Sequence, residues 1–321
     1  NQYRSHATEG KRSFRRRQPD WSELMITVRT MTRRFGRFTA VDRLTFDVEE
    51  GQAVALWGPN GAGKTTAIRC ILGLLRCRGT ITVNGHKVNG GSRVARRQMG
   101  YVPQELAFYD DFRVSELLGF FARLKSVPKS RGADVLEEVG LTQHRRKRVR
   151  ELSGGMKQRL ALALALLANP PVLILDELTS NLDTRAQQAF IALLRKLRTH
   201  GKTILFTSHR LEEIVELADR VVVLDSGTKT MECTPYELEQ QIGDHCVLSV
   251  VVDDKVIDNA VGTLRTAGFN ATRNCRSVLV EVRLQEKALP IRTLLDSHIE
   301  VRDFELLREQ TLEKVNGGEN E

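Results

Sequence analysis

The residues of this chain with the clearest chemistry form a nine-residue loop directly behind the short apolar run Ala53–Trp57. Glycines let successive backbone N–H groups of such a loop turn toward an anion, where side chains would block its approach. We expect Lys64 to meet the β- and γ-phosphates of a nucleoside triphosphate and Thr65 to hold Mg²⁺. The predicted nucleotide-binding residues are Gly58, Pro59, Asn60, Gly61, Ala62, Gly63, Lys64, Thr65 and Thr66.

Two carboxylates follow a second apolar run, Val172–Leu175. A continuous apolar run of this kind predicts a buried parallel strand, which would deliver Asp176 and Glu177 to the edge of the sheet where the phosphate loop lies. Asp176 then suits a water-mediated hold on Mg²⁺, and Glu177 is placed to polarise a water for attack on the γ-phosphate. The pair therefore predicts hydrolysis as well as binding.

A second anion-binding helix start is predicted in the segment Leu152–Gln158. Ser153 is a suitable N-cap, and Gly154 and Gly155 expose backbone N–H groups at the positive end of the helix dipole. One nucleotide does not need two such cradles on one subunit. The second cradle, with Gln158 behind it, is therefore expected to face the nucleotide of another copy, which predicts a dimer.

These segments together resemble the ATPase subunits of ABC transporters. Residues 58–66 resemble the Walker A motif of that family, residues 152–158 its signature motif and residues 172–177 its Walker B strand with the catalytic glutamate. Phe35 is similar to the aromatic that stacks on adenine, and Gln104 to the Q-loop glutamine that senses Mg²⁺ and the attacking water. Residues 180–183, with Asp183, resemble the D-loop, and His209 the switch histidine that contacts the γ-phosphate.

The resemblance implies a function and its partners. Two cassettes would sandwich two ATP molecules with Mg²⁺, each between one subunit's phosphate loop and the other's signature segment, and would drive a separate integral membrane permease. The chain departs from the family at Leu178, where proline is usual, and at Phe35, where tyrosine is common. Neither change removes a group that does chemistry.

The elements that must position these residues are predicted from periodicity. A helix should begin at about Gly63, with Ile68, Ile71 and Leu72 on its buried face. Between Gln104 and Ser153, helical patterns at residues 114–124 and 133–139 predict the family's helical subdomain, whose groove receives a helix of the membrane partner. The apolar residues of this segment, such as Phe108, Phe112, Phe120 and Phe121, are candidates for either the core or the docking surface, and we expect most of them in the core.

The C-terminal part changes in composition after about Pro235. Alternating strand and helix patterns predict strands at 247–252, 269–273, 277–283 and 299–307 and helices at 255–267 and 288–297. This order is typical of a small ferredoxin-like βαββαβ domain. The predicted fold is thus an α/β P-loop NTPase of the ABC type, with a helical subdomain and a small α+β domain.

The domain boundaries follow from length and charge. The 321 residues are expected to form a basic disordered leader at 1–24, the ATP-binding domain at 25–235, the small domain at 236–313 and a disordered tail at 314–321, with Met25 as a possible start. The net charge of +9 is concentrated in the leader and at residues 145–150, where the usual solvated role competes with contact to lipid headgroups or nucleic acid.

Localisation is expected to be cytoplasmic, on the inner face of the cell membrane. The longest apolar stretch, Leu160–Leu167, is too short to cross a bilayer, and the polar leader is not a secretory signal. The five cysteines show no metal-binding spacing and are expected to be reduced thiols.

Two alternatives to a transporter subunit remain open from the sequence. The basic leader favours a soluble ABC ATPase acting on nucleic acid or ribosomes, but Lys64 and Ser153 are only 89 positions apart, which leaves no room for the long coiled coils of chromosome and repair members. A cassette that only binds ATP is disfavoured because Glu177, Gln104 and His209 are all present. We therefore expect no direct nucleic-acid partner. A single cassette with a C-terminal appendix is similar to the exporter ATPases of the drug-efflux, haem-exporter and copper-loading branches.

Overall fold

The computed structural model describes residues 24–88, 92–179, 182–243, 245–274, 277–283 and 286–307. The expected leader and tail therefore lie outside the described residues, except for Leu24, which already belongs to the first strand. The chain divides into two compact units, and their boundary in the sequence lies between Glu232 and Cys233. Each unit is described by itself.

The first unit contains two sheets and seven α-helices among its described residues. Its strands are β1 (Leu24–Phe35), β2 (Phe38–Glu49), β3 (Ala53–Trp57), β4 (Arg78–Val83), β5 (His86–Lys87), β6 (Met99–Val102), β7 (Val172–Leu175), β8 (Thr203–Ser208), β9 (Arg220–Asp225) and β10 (Thr228–Cys233). Its helices are α1 (Lys64–Ile71), α2 (Arg93–Arg97), α3 (Val114–Leu124), α4 (Arg131–Glu138), α5 (Gly154–Leu166), α6 (Thr184–Thr199) and α7 (Leu211–Leu217).

A six-stranded sheet in the order β10-β9-β3-β8-β7-β6 carries the site. Strands β9, β3, β8, β7 and β6 run parallel, and every residue of β7 and β8 is buried. Strands covered on both faces are apolar throughout rather than alternating. The phosphate loop follows β3, His209 follows β8, Asp176 and Glu177 follow β7, and Gln104 follows β6. Four predicted functional segments thus leave the same edge of one sheet from neighbouring strands.

The first unit also contains a four-stranded sheet in the order β2-β1-β4-β5. Its paired strands are antiparallel, and β1 and β2 form a long hairpin from Leu24 opposite Glu49 to Phe35 opposite Phe38. One core cluster joins apolar residues of both sheets and of α1, including Val28, Leu56 and Ile68. This packing holds α1, and hence the phosphate loop, between the sheets.

The helical segment between β6 and α5 departs from the expected core. Helix α3 spans the predicted range and buries Val114, Leu117, Leu118 and Ala122. None of the four phenylalanines expected in the core is buried: Phe112 and Phe120 are exposed, and Phe108 and Phe121 are half-buried. The prediction was wrong for Phe120 and Phe121 because the buried stripe of α3 consists of its smaller aliphatic side chains, which places these rings on its other faces. Phe108 and Phe112 precede the helix and do not belong to its buried stripe.

The most apolar stretch of the first unit is a core helix. Helix α5 contains the residues Leu160–Leu166 and buries residues all round, including Leu160, Leu162 and Leu166. In the part of the chain that the structure describes, no helix is both long and apolar enough to cross a membrane.

The second unit is a four-stranded antiparallel sheet with two packed helices. It contains α8 (Pro235–Gly243), β11 (His245–Val251), α9 (Ile257–Thr266), β12 (Asn270–Asn274), β13 (Ser277–Arg283), α10 (Ala288–Asp296) and β14 (Asp303–Leu307). The sheet order β12-β13-β11-β14 is the ferredoxin-like arrangement predicted from the sequence. Its core includes Leu248, Val280 and Leu264.

The last strand begins four residues later than predicted. His298 adopts a left-handed conformation, and the backbone N–H of Ile299 donates to the Leu294 carbonyl oxygen at 2.9 Å. Residues 297–299 therefore terminate α10 instead of starting the strand. The apolar character of Ile299, which suggested a strand, comes from its burial in the core.

Candidate functional site

The loop at residues 58–63 has a backbone that only glycine tolerates at two points. Gly58 and Gly63 have φ angles of 154° and 95°, and a Cβ atom there would lie 2.1 Å from the Leu224 carbonyl oxygen and 2.3 Å from that of Ala40, respectively. Gly63 is also the N-cap of α1. The positive end of this helix therefore opens into a loop that approaches neighbouring backbone too closely for side chains, as a phosphate cradle requires.

Lys64 extends from the first turn of α1 into the centre of the site. Its Nζ donates to the carbonyl oxygens of Gly58 at 2.7 Å and Pro59 at 3.1 Å, and lies 3.7 Å from Glu177 Oε1. Burial lowers the pKa of Lys64, while the charges of Glu177 and Asp176 oppose that shift. The ammonium group is thus held where loop and carboxylates converge.

Thr65 and Asp176 offer neighbouring oxygen atoms. Asp176 Oδ1 accepts from Thr65 Oγ1 at 3.1 Å and from Thr207 Oγ1 at 2.8 Å. Burial raises the pKa of Asp176, and the two hydroxyl donors oppose it. Hydroxyl and carboxylate oxygens are hard ligands of the kind that Mg²⁺ prefers. The residues present therefore fit a magnesium ion beside the phosphate loop.

Glu177 connects Lys64 to the switch histidine. His209 Nδ1 lies 2.7 Å from Glu177 Oε2, and the Glu177 backbone N–H donates to Thr207 Oγ1 at 2.7 Å. Glu177 itself has a positive φ of 52°, an uncommon conformation for this residue type and one that often occurs at functional sites. The structure thus brings Lys64, Asp176, Glu177 and His209 together.

Gln104 lies on the same edge of the sheet but outside this cluster. It follows β6, whose Val102 is opposite Leu175 of β7. Its side chain is exposed, and among the described residues it has no hydrogen-bond partner. The topology places Gln104 near the carboxylates without a direct contact to them.

Phe35 ends β1 at the tip of the β1–β2 hairpin and is 45% exposed. The Arg33 guanidinium carbon lies 4.3 Å from the centre of its ring, and Arg33 Nη1 donates to the Arg76 carbonyl oxygen at 2.8 Å. The hairpin reaches the phosphate loop through Ala40, whose carbonyl oxygen approaches Gly63. Sequence reasoning did not identify Arg33, because a cation over a ring is visible only in three dimensions.

Ser153 caps α5 as predicted from its residue type. Its Oγ accepts from the Met156 backbone N–H at 3.4 Å. Gly155 packs against α6, since a Cβ atom there would lie 2.9 Å from Ala186 Cβ. Gly154 begins the helix beside them.

Contrary to the expectation from the sequence, the side chain of Gln158 does not face outward to a partner subunit. It is buried, and its Nε2 donates to the Leu178 carbonyl oxygen at 3.1 Å. The amide therefore ties the signature helix to the turn after Glu177 in its own chain. Leu178, which stands where the family usually has proline, is itself fully buried.

Asp183 caps α6, accepting from the Ala186 backbone N–H at 2.8 Å. Two other residues of the predicted D-loop, Ser180 and Asn181, lie outside the described residues.

Thr207 is a site residue that sequence reasoning did not single out. Its one hydroxyl donates to Asp176 and accepts from the Glu177 backbone, so it joins the ends of β7 and β8. The only sequence indication is its position two residues before His209.

Comparison with known proteins gives consistent matches. A family model described as ABC transporter matches residues 41–180. The chain is 41% identical over 219 residues to the Nod factor export ATP-binding protein I of Ralstonia nicotianae, covering 67% of this chain and 68% of that protein. It is 35% identical over 301 residues to the daunorubicin resistance ATP-binding protein DrrA3 of Streptomyces coeruleorubidus, covering 92% and 95%.

A solved structure shows a similar fold with hydrolysis products bound. It is the dimeric ATP-binding cassette MJ0796 in a post-hydrolysis state with ADP and Pi, 25% identical to this chain with a TM-score of 0.59. The match covers 66% of this chain and 99% of that one.

Proposed function

The chain belongs to the ATP-binding subunits of ABC transporters. From that premise, we propose the role of each site residue in ATP hydrolysis and the partners that the subunit binds. The protein binds ATP and hydrolyses it to drive transport. The observation that carries the proposed roles is the cluster of Lys64, Asp176, Glu177 and His209 behind the phosphate loop.

Residues 58–66 bind the phosphates of ATP. Lys64 balances the charge of the β- and γ-phosphates, and the backbone N–H groups at the start of α1 bind their oxygens. Phe35 stacks on adenine. Thr65 and Asp176 would hold Mg²⁺, with Gln104 joining them from the end of β6, and the bound ion would supply charge neutralisation at the transferred phosphoryl group.

Glu177 is the base that takes a proton from the attacking water on its carboxylate. Its contacts support this role: His209 lies 2.7 Å from Oε2 and Lys64 lies 3.7 Å from Oε1, so the carboxylate is oriented from both sides. A base held in this way needs little reorganisation when the proton moves. His209 positions Glu177 and contacts the γ-phosphate.

A second copy of the chain completes each nucleotide site. Ser153, Gly154 and Gly155 present the start of α5 to the nucleotide of the partner subunit, with Asp183 between the two sites. Gln158 acts within its own chain, holding α5 to Leu178. ATP thereby stabilises a closed homodimer, and hydrolysis releases it.

The membrane partner docks on an apolar groove of the first unit. The groove has a volume of about 450 Å³ and lies between the end of β6, α3 and α5. Phe108 and Tyr109 from the loop before α3 and Phe121 of α3 border it, so the groove offers an apolar surface to a permease helix. Its lining includes Tyr101, Leu106, Phe108, Tyr109, Phe121 and Leu164.

The transported substrate leaves the cell. Relatives named for Nod factor export and daunorubicin resistance support an exporter that works at the inner face of the cell membrane. They give no support to the alternative of an ATPase that acts on nucleic acid or ribosomes, and no direct nucleic-acid partner is proposed.

Co-purification of the permease tests this function. Tagged Glu177→Gln protein, held with ATP and Mg²⁺, is recovered from detergent-solubilised cells of its source, with Lys64→Ala as the control that binds ATP poorly. We expect a polytopic membrane protein in equal amount, identified by mass spectrometry. Recovery of ribosomes or nucleic acid without a membrane protein would overturn the transporter role.

A further inference from the structure

A buried carboxylate on α7 has no part in the proposed steps of ATP binding and hydrolysis. Glu213 is 2% exposed, although it lies near the start of the helix that follows His209. Carboxylates are rarely buried so completely unless they are paired or hydrogen-bonded.

Two hydroxyl groups from different segments donate to this carboxylate. Ser208 Oγ donates to Glu213 Oε2 at 2.7 Å, and Thr179 Oγ1 donates to Oε1. Ser208 directly precedes the switch histidine, and Thr179 is the second residue after Glu177. Each oxygen of Glu213 thus binds a different catalytic segment.

Both segments continue from these contacts toward functional residues. The Leu182 backbone N–H donates to the Thr179 carbonyl oxygen at 3.1 Å, which ties Thr179 to the residue directly before Asp183. The Arg210 backbone N–H donates to Ser208 Oγ at 2.9 Å, which shapes the turn around His209. Glu213 therefore lies where the turns after β7 and β8 are both anchored.

We propose that Glu213 is a positioning residue that couples Thr179, which lies between Glu177 and Asp183 in the sequence, to the switch histidine. The proposal rests on the proposed function, because it assumes the roles of Glu177, His209 and Asp183. Through this carboxylate, a movement of Asp183 against the partner subunit changes the position of Ser208 and hence of His209. Glu213 is a positioning residue and not a catalytic one, since it acts through Thr179 and Ser208.

The charge of Glu213 suits this task. An ionised carboxylate only accepts hydrogen bonds, so it can bind two hydroxyl donors at once. Burial raises the pKa of Glu213, and the Ser208 and Thr179 hydroxyls and Arg210, whose Nε lies 4.0 Å from Oε1, oppose that rise. Glutamine keeps the shape but replaces one acceptor oxygen with a donor, so one of the two links is weakened.

The first test compares Glu213→Gln with Glu216→Gln, an exposed glutamate on the same helix. We expect Glu213→Gln to lower kcat by about 10- to 100-fold, the effect of a small misplacement of catalytic groups, with the KM for ATP within about twofold of wild type. Glu216→Gln should leave both unchanged. Wild-type kcat in Glu213→Gln would overturn the proposal, as would an equal loss in Glu216→Gln.

The second test measures coupling between Thr179 and Ser208 with a double-mutant cycle. Thr179→Val and Ser208→Ala each remove one hydroxyl, and their effects on kcat should be non-additive in the wild-type chain and additive in the Glu213→Gln background. Additive effects in the wild-type chain, or unchanged coupling in the Glu213→Gln background, would contradict the proposal. If Glu213 acted on stability alone, Glu213→Gln would lower Tm, and the effects of Thr179→Val and Ser208→Ala on kcat would not show this change from non-additive to additive.

Failure of the underlying function gives a different result. If Glu177→Gln hydrolysed ATP at the wild-type rate, the proposed base would be wrong whatever Glu213 does. If Glu177→Gln lost turnover while Glu213→Gln kept it, only the coupling role of Glu213 would fail.

Discussion

At the scale of single residues, the site is a set of charges that balance one another over short distances. Lys64, Glu177 and His209 form a chain of contacts of 3.7 and 2.7 Å, and Asp176 binds two hydroxyls beside it. Lys64, Asp176 and Glu177 are buried, and buried charges are stable only when they are paired, so removal of one of these groups alters the others.

Removal of the carboxylate of Glu177 should separate binding from hydrolysis. Glu177→Gln keeps the shape and Lys64 stays in place, so ATP should bind with near wild-type affinity, while turnover falls by roughly two to four orders of magnitude, the usual contribution of a general base. Lys64→Ala should instead weaken binding. Fluorescent-nucleotide titration and phosphate release measure the two effects, and normal phosphate release by Glu177→Gln would refute the assignment.

The charged form of Asp176 should lower the free energy of unfolding at neutral pH when nucleotide is absent. Its pKa is raised above the ordinary value of 3.8, so its contribution to folding is fully present below that value and is lost as the pH rises through the folded-state pKa. Asp176→Asn does not titrate, and its amide oxygen can keep both hydroxyl bonds, since Thr65 and Thr207 donate to the same oxygen.

We therefore expect Asp176→Asn to raise Tm by about 2 to 4 °C at pH 8, equivalent to roughly 1 kcal/mol, with a smaller gain at pH 5. Calorimetry of both proteins in EDTA without nucleotide measures the difference. A gain that increases toward acid pH would show that burial of the charged carboxylate is not the cause of the lower stability.

At the scale of elements, the parallel sheet is what assembles the site. Adjacent strands β3, β8, β7 and β6 end at one edge, so segments far apart in sequence leave the sheet side by side. The second unit has a different plan, an antiparallel sheet that buries Leu248 and Val280 against its own helices.

A cavity in the second unit should therefore loosen that unit alone. Leu248→Ala removes a fully buried side chain from β11 and should cost about 2 to 5 kcal/mol of the unit's stability, as core leucines do. Hydrogen exchange monitored by mass spectrometry should become faster across the described residues of 245–307 and stay unchanged across those of 24–232. Leu295→Ala, at an exposed position of α10, is the control and should change neither. Faster exchange throughout the chain would show that the two units unfold together.

At the scale of the whole molecule, ATP is expected to control assembly. The first unit carries both a phosphate loop and a capped, glycine-rich helix start at α5, and the proposed function pairs each with the complementary surface of a second copy. Dimer formation should then depend on nucleotide, metal and the phosphate loop together.

Sedimentation of Glu177→Gln should show this dependence. With ATP and Mg²⁺ we expect a species of two 36.2 kDa chains, and with ATP and EDTA a single chain. Lys64→Ala should stay monomeric in both conditions. A dimer that forms without nucleotide, or in Lys64→Ala as well, would mean that another surface holds the copies together.

Local sequence patterns were sufficient to predict the fold class of the chain and the candidate nucleotide-binding segments of the first unit. Gly58 to Thr66, Asp176 with Glu177, and the helix start at Ser153 are local patterns, because a phosphate loop, a buried strand end and a helix cap each depend on consecutive residues. The βαββαβ order of the second unit could also be predicted locally, because the spacing of apolar residues differs between its short strands and its helices.

Which side chains contact one another could be read only from the three-dimensional arrangement. Thr207 between Asp176 and Glu177, Arg33 over Phe35, Gln158 on Leu178 and Glu213 between Thr179 and Ser208 are contacts across different elements. The exposure of Phe120 on α3 has the same origin, since periodicity reports that a helix has an apolar face but not which neighbours cover it. The partners of a side chain depend on how the whole sheet packs. Packing brings together residues that are far apart in the sequence, and no local sequence pattern marks such a pair.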